Sequence, residues 1–228
     1  MKHPIHTTGT ALAVAIAVIP LSVSPVLATA AHAQSTGVKS LLGDASDGAL
    51  DKLSQPGAFY ADKAVRILLP GPLKNASKIL RFTSKAGLTR DITRDLNDAA
   101  GKAALEAKPI FRSAIDNLTL TDGVGIVTGG GSGGTDYLRK TSGEELAVKI
   151  RPLVEKALEE VGAYKQMAKL GGVSRLGSLA GADFSRDGLT DSVTDQAMDG
   201  IFSYIANEEA NFRSNPLSKG KKLLKGIF

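Results

Sequence analysis

The chain has 228 residues, 43% of them apolar, with 28 Lys and Arg against 23 Asp and Glu for a formal charge of +5. It contains no cysteine and no tryptophan, and its three histidines, His3, His6 and His32, all lie in the first 33 residues. With that segment removed, a Ser-His-Asp or Cys-His nucleophile, a redox dithiol, and a zinc, copper or haem site of the usual kind are all excluded, leaving carboxylates, lysines, arginines and hydroxyls.

The N-terminal segment reads as a secretory signal peptide. Lys2 precedes an apolar stretch from Ala11 to Leu27, and the small-residue string Ala28-Thr29-Ala30-Ala31-His32-Ala33 follows it. Pro20 and Pro25 interrupt the stretch, which is short of the roughly 20 residues a bilayer requires. Cleavage is expected near Ala33, with Ala30 as a second small-x-small position. Removing residues 1–33 leaves 195 residues and takes away one cation and no acid, so the net charge falls to +4. A lipid-modified cysteine and a disulfide framework are both impossible here. The expected location is the bacterial periplasm or the medium, with no membrane span in the mature chain.

Beyond the leader, residues 34–72 read as an N-terminal arm with a short helix over 41–53. The Pro56–Leu73 stretch carries Pro56, Pro70, Gly71 and Pro72 around Val65-Arg66-Ile67-Leu68-Leu69 and reads as an extended arm across the rest of the fold. Residues 73–228 read as one helical domain. Apolar residues recur at steps of three and four through Leu88, Ile92, Leu96, Ala99, Ala103 and Ala107, then past Pro109 through Phe111, Ala114, Ile115 and Leu118. Thr121-Asp122 is placed to cap a short helix ending at Gly129. A second stripe runs Leu146, Ile150, Leu153, Val154, Ala157, Val161, Tyr164 and Ala168, with Pro152 inside it. Pro109 and Pro152 should each kink a helix or start one.

Residues 171–190, rich in Gly, Ser and Asp, read as a loop. A third stripe, Val193, Ala197, Ile201, Ile205, Glu209 and Phe212, follows the capping pair Asp191-Ser192 and stops at Asn215-Pro216. No segment alternates at period two. The predicted fold is therefore all-α: a single-domain helical bundle with an extended N-terminal arm, after a cleaved signal peptide. The tail lysines Lys219, Lys221, Lys222 and Lys225 read as a solvated helix end, and the mild, dispersed charge gives no nucleic-acid footprint.

Three sets of residues could carry chemistry. Gly129-Gly130-Gly131-Ser132-Gly133-Gly134-Thr135 leads into a helix at Asp136 and could offer backbone N–H groups to a phosphate, but lacks the Gly-Lys-Ser/Thr ending and a preceding strand. It reads better as a helix-to-helix connection. Asp183, Asp187 and Asp191 echo positions 1, 5 and 9 of a calcium loop with Gly188 at position 6. Thr194 stands where that loop needs a bidentate glutamate, so no metal is expected and calcium is the alternative.

The third set is polar residues within apolar patterns: Asn97, Asp136, Tyr137, Arg139, Glu208, Glu209 and Arg213. Of these, Asn97, Asp136, Tyr137, Arg139, Glu209 and Arg213 are the candidate ligand-binding residues. Glu209 and Arg213 can meet at i,i+4, and because a buried charge must be paired they read first as a structural pair tying the last helix to its neighbours, with a polar ligand pocket as the alternative. No catalytic residue and no cofactor are expected.

The segments Ala64–Leu73, Leu96–Ala100, Ala107–Phe111, Thr128–Gly130 with Asp136–Thr141, and Ala197–Phe202 with Glu209, Arg213–Pro216 and Leu223–Lys225 resemble, in that order, the exported bacterial family called domain of unknown function 4197. The resemblance implies a signal-bearing helical protein and transfers no catalytic residue. The Gly/Ser insert after Thr128 and the loop from Gly171 to Asp187 depart from the pattern. The functional expectation is a non-catalytic periplasmic module that binds or contacts an envelope lipid or protein; the alternative is a hydrolase or transferase built on carboxylates and arginine.

Overall fold

The computed structural model describes residues 25–70, 88–119, 126, 129–169, 183 and 185–215. They form six α-helices and no strand: α1 (Pro25–Leu53), α2 (Ala58–Ala61), α3 (Leu88–Asp116), α4 (Gly133–Glu160), α5 (Ala163–Lys169) and α6 (Arg186–Ser214), with a 3-10 turn at Gly130–Ser132 ahead of α4. The fold is all-α, as the spacing of apolar residues predicts. No helix among the described residues is long and apolar enough to cross a membrane.

Four long helices make the body. Each of α1, α3, α4 and α6 packs mainly on two of the others, in the ring order α1, α3, α4, α6. Neighbours run antiparallel. Lys39 reaches the Asp116 carbonyl while Lys108 pairs with Asp51; Lys102 pairs with Glu160 and Lys156 with Glu106; Gly134 meets Glu209 while Arg151 meets Asp191. The result is an up-down-up-down bundle.

The three stripes become its core. Ile92, Leu96, Ala99, Ala103, Ala107, Phe111 and Ile115 on α3 are buried, as are Leu146, Ile150, Val154 and Ala157 on α4 and Val193, Ala197, Ile201 and Ile205 on α6. Alanines on α3 let its neighbours approach closely, and Phe111 fills the remaining space edge-on to Phe202 at 5.8 Å between ring centroids. Pro109 and Pro152 both lie inside continuous helices, so neither begins a new one. Each removes a single helical hydrogen bond, and buried neighbours on either side, Ala107 and Phe111 or Ile150 and Val154, hold the helix through packing.

Two helix starts differ from the predicted ones. Helix α1 begins at Pro25, upstream of 41, and is itself one of the four bundle helices; Leu42, Ala45, Ser46, Ala49, Leu50 and Leu53 are buried on it. Helix α6 begins at Arg186 instead of after Asp191, so 186–190 are helix, not loop. Its N-cap is Ser185, whose hydroxyl accepts the Gly188 N–H at 3.0 Å. The predicted short helix at 121–129 (Ile126 and Gly129 apart), most of the 171–190 loop and the lysine tail lie outside the described residues.

The arm is extended over a shorter stretch than Pro56–Leu73, because α2 occupies 58–61. Residues 66–69 then run as a strap between α3 and α6. In extended backbone, the N–H and C=O of one residue point to the same side and those of the next residue to the other. Ile67 accordingly exchanges both bonds with the Asn97 amide of α3, at 2.9 Å each, and Leu68 with the Gln196 amide of α6, at 2.9 and 3.0 Å. Two side-chain amides thus stand in for neighbouring strands.

Candidate functional site

The strongest polar constellation is built around Glu209, the one charged residue buried among the described residues, at 0% exposure. It projects from α6 onto the N-terminus of α4. A helix start leaves backbone N–H groups without partners and carries partial positive charge. Ser132, the local N-cap of α4, makes no capping bond; its hydroxyl donates to Asp136 at 3.0 Å.

Glu209 does the capping from a distance. Its Oε1 accepts the Gly134 N–H at 2.9 Å, and its Oε2 accepts the Thr135 N–H at 2.7 Å and the Thr135 hydroxyl at 2.6 Å. One turn on, Arg213 donates to Oε1 from Nε at 2.8 Å and from Nη2 at 2.6 Å, and Nη2 also reaches the Ile126 carbonyl at 3.1 Å. Five donors meet a group with about four lone-pair sites, so the carboxylate is saturated.

The glycine run takes its meaning from this arrangement. A Cβ on Gly134 would stand 2.9 Å from Glu209 Oε1 and 3.0 Å from Leu42 Cδ2, and one on Gly133 would stand 2.6 Å from the Ile126 carbonyl oxygen. The run is therefore a close-approach surface for a helix start, and the anion in its cradle is the chain's own. Gly134→Ala should lower the melting temperature by several degrees, since overpacking here costs about 1–3 kcal/mol. Differential scanning calorimetry of that variant checks this, and an unchanged midpoint contradicts the packing described.

The six candidate binding residues do not converge. Asn97 clamps Ile67 and also donates to the Thr93 carbonyl. Asp136 takes the Ser132 hydroxyl. Tyr137 donates its hydroxyl to the Thr119 carbonyl at 2.7 Å. Arg139 pairs with Asp199 and lies over the Phe202 ring at 5.3 Å. Asp199 is ten residues before Glu209, nearly three turns along α6, so Arg139 serves the middle of that helix and Arg213 its C-terminal end. Glu208, the neighbour of Glu209, pairs outward with Lys52.

Tyr137 lines an open groove of about 290 Å³ between the end of α3 and the first half of α4, walled also by Asn117, Thr141, Ser142, Glu145 and Lys149. Glu145 and Lys149, one turn apart on α4, pair with each other along its wall at 2.6 Å.

The calcium alternative is corrected by the helix start. From Arg186 onward its nine positions are helical, and both Asp187 and Asp191 bond to Arg151, at 2.9 and 2.6 Å. Asp183 instead accepts the Ser185 N–H at 2.8 Å. A cation loop needs irregular backbone that turns its oxygens inward, which a helix cannot supply. No group of three metal-ligating side chains gathers among the described residues.

Residues that sequence reasoning did not single out complete the picture. Gln196 gave no local signal, being a half-buried polar residue on a helix. Thr135 shows in sequence only as the end of the glycine run, yet it supplies two of the five donors to Glu209.

An antiparallel four-helix body, locked by one internal carboxylate and crossed by a side-chain-clamped strap, is the class of protein this geometry defines. The chain belongs to the family described as protein of unknown function DUF4197, whose model matches residues 28–228. Neither a curated protein nor a solved structure matches it.

Proposed function

We propose that this protein is an exported, non-catalytic helical module that binds a ligand or partner, a lipid or a protein, at the bacterial envelope. The observation that carries this reading is the saturation of Glu209. A general acid or nucleophile must present a lone pair or a proton to substrate, whereas both Glu209 oxygens are directed at Gly134, Thr135 and Arg213. The leader supports export, and the α1 residues Val38, Leu42, Ala45, Ala49, Leu50 and Leu53, which pack into or against the core, all lie downstream of the expected cut at Ala33.

The test is recovery of the protein from the periplasmic fraction of an exporting host, followed by N-terminal sequencing and native mass spectrometry. The reading predicts a start at Gln34 or Ala31 and a retained small molecule, lipid or protein. A start at Met1 contradicts export. A hydrolase or transferase turnover that Glu209→Gln abolishes at unchanged melting temperature contradicts the non-catalytic role.

A further inference from the structure

Seven arginines have described side chains, and five of them pair with carboxylates. Arg112 meets Asp47, Arg139 Asp199, Arg151 Asp187 and Asp191, Arg186 Glu159, and Arg213 Glu209. The other two, Arg66 and Arg94, make no ion pair among the described residues, and they are found together. Their guanidinium carbons stand 4.7 and 5.6 Å from the centroid of one ring, Tyr60.

The local architecture brings them there. Arg66 sits on the strap immediately before the two residues that Asn97 and Gln196 clamp, and its Nε donates to the Tyr60 carbonyl at 2.6 Å. Arg94 lies three residues before Asn97, so the turn of α3 that anchors the strap also carries Arg94 to Tyr60. Asp62, four residues before Arg66, is already engaged. Asp62 accepts the Ala64 N–H at 2.9 Å and the Tyr204 hydroxyl at 2.7 Å, and these bonds hold its carboxyl below the usual carboxylate range.

Two like charges gathered on one ring repel each other, and an anion that touches both relieves that repulsion. Among the described residues neither terminal nitrogen of Arg66 and no nitrogen of the Arg94 fork is bonded to an acceptor. A carboxylate is satisfied by one such fork; a phosphate, with more charge and more acceptor oxygens, engages two.

We propose that Arg66 and Arg94, on the Tyr60 ring, form a binding site for a phosphate group. This names the ligand chemistry of the binding module proposed above and rests on that reading. The phosphate could be free or could belong to a lipid headgroup.

The test compares the protein with Arg66→Gln/Arg94→Gln and with Lys140→Gln/Lys165→Gln, which removes the same charge from two exposed lysines elsewhere. Arg94→Gln alone is included because Arg94 is exposed and its loss leaves the strap clamps intact. Inorganic phosphate is titrated by calorimetry at physiological salt, and vesicles of phosphatidylglycerol or phosphatidylcholine are co-sedimented with each protein.

The expected result is at least tenfold weaker binding in the double arginine variant, a smaller loss in Arg94→Gln, and no change in the lysine control. Phosphate binding without sedimentation assigns a soluble ligand; arginine-dependent sedimentation with phosphatidylglycerol assigns a headgroup. Equal losses in the arginine and lysine variants, or wild-type protein that takes up neither phosphate nor phosphatidylglycerol, would overturn the proposal. Those results leave a ligand found by native mass spectrometry standing, so the two readings fail separately.

Discussion

Glu209→Ala is expected to lower the unfolding free energy by about 3–5 kcal/mol, because it breaks a buried ion pair from one side. The substitution strands the Arg213 guanidinium, whose side chain is only 23% exposed, and leaves the Gly134 and Thr135 N–H groups at the start of α4 without an acceptor. For a domain of this size such a loss lowers the melting temperature by roughly 10 °C. Glu209→Gln keeps the volume yet turns an amide NH₂ toward groups that are all donors, so it should recover little of the loss.

Arg213→Ala should be milder. Three donors from α4 still satisfy the carboxylate, and water can reach the vacated side of the pair. Urea denaturation of the three variants checks the order. Arg213→Ala proving as damaging as Glu209→Ala would show that the ion pair, and not the helix start, dominates.

The second large effect concerns the strap. Asn97→Ala removes both partners of the Ile67 peptide at a position where Ile67 is 0% exposed and water has no access. Each buried group left unmade costs about 1–3 kcal/mol, so a loss of roughly 2–5 kcal/mol is expected. Gln196→Ala removes the equivalent pair from Leu68, which is 43% exposed, and water replaces those bonds at a cost of about 1 kcal/mol or less. Equilibrium denaturation of the two variants decides this, and equal losses would contradict the account of the strap.

What the sequence made legible follows from the range of each interaction. The α6 stripe could be read through to Glu209 because burial at three- and four-residue steps is local, and Arg213 at i+4 was recognisable for the same reason. The glycine run reads in sequence first as a helix-to-helix connection and only second as an anion cradle, the chemistry that backbone N–H groups at a helix start offer. Its occupant was not legible, because Glu209 lies 74 and 75 residues away from the groups it binds. Asn97 stood out as a polar residue in an apolar stripe, but its partner Ile67 is 30 residues distant and uses backbone atoms, which carry no sequence signature.

The misplaced start of α6 has a local cause. Gly188 weakens a helical pattern, and here it is tolerated because a Cβ at that position would collide with the Asp183 carboxyl at 2.4 Å, where the chain folds over the first turn. Arg66 and Arg94 were illegible as a pair for another reason. An arginine reveals itself in a structure by lacking a carboxylate, and that lack cannot be seen in one dimension.

Amide hydrogen exchange by NMR probes the internal cap most directly. First-turn amides of a helix have no intrahelical acceptor and ordinarily exchange fast. With Glu209 holding them, the Gly134 and Thr135 amides should exchange as slowly as core amides of α4 such as Val154, and Glu209→Ala should expose them selectively at low temperature where the variant is still folded. Rapid exchange of both amides in the unmodified protein would contradict the assignment of Glu209 as the structural lock of this bundle.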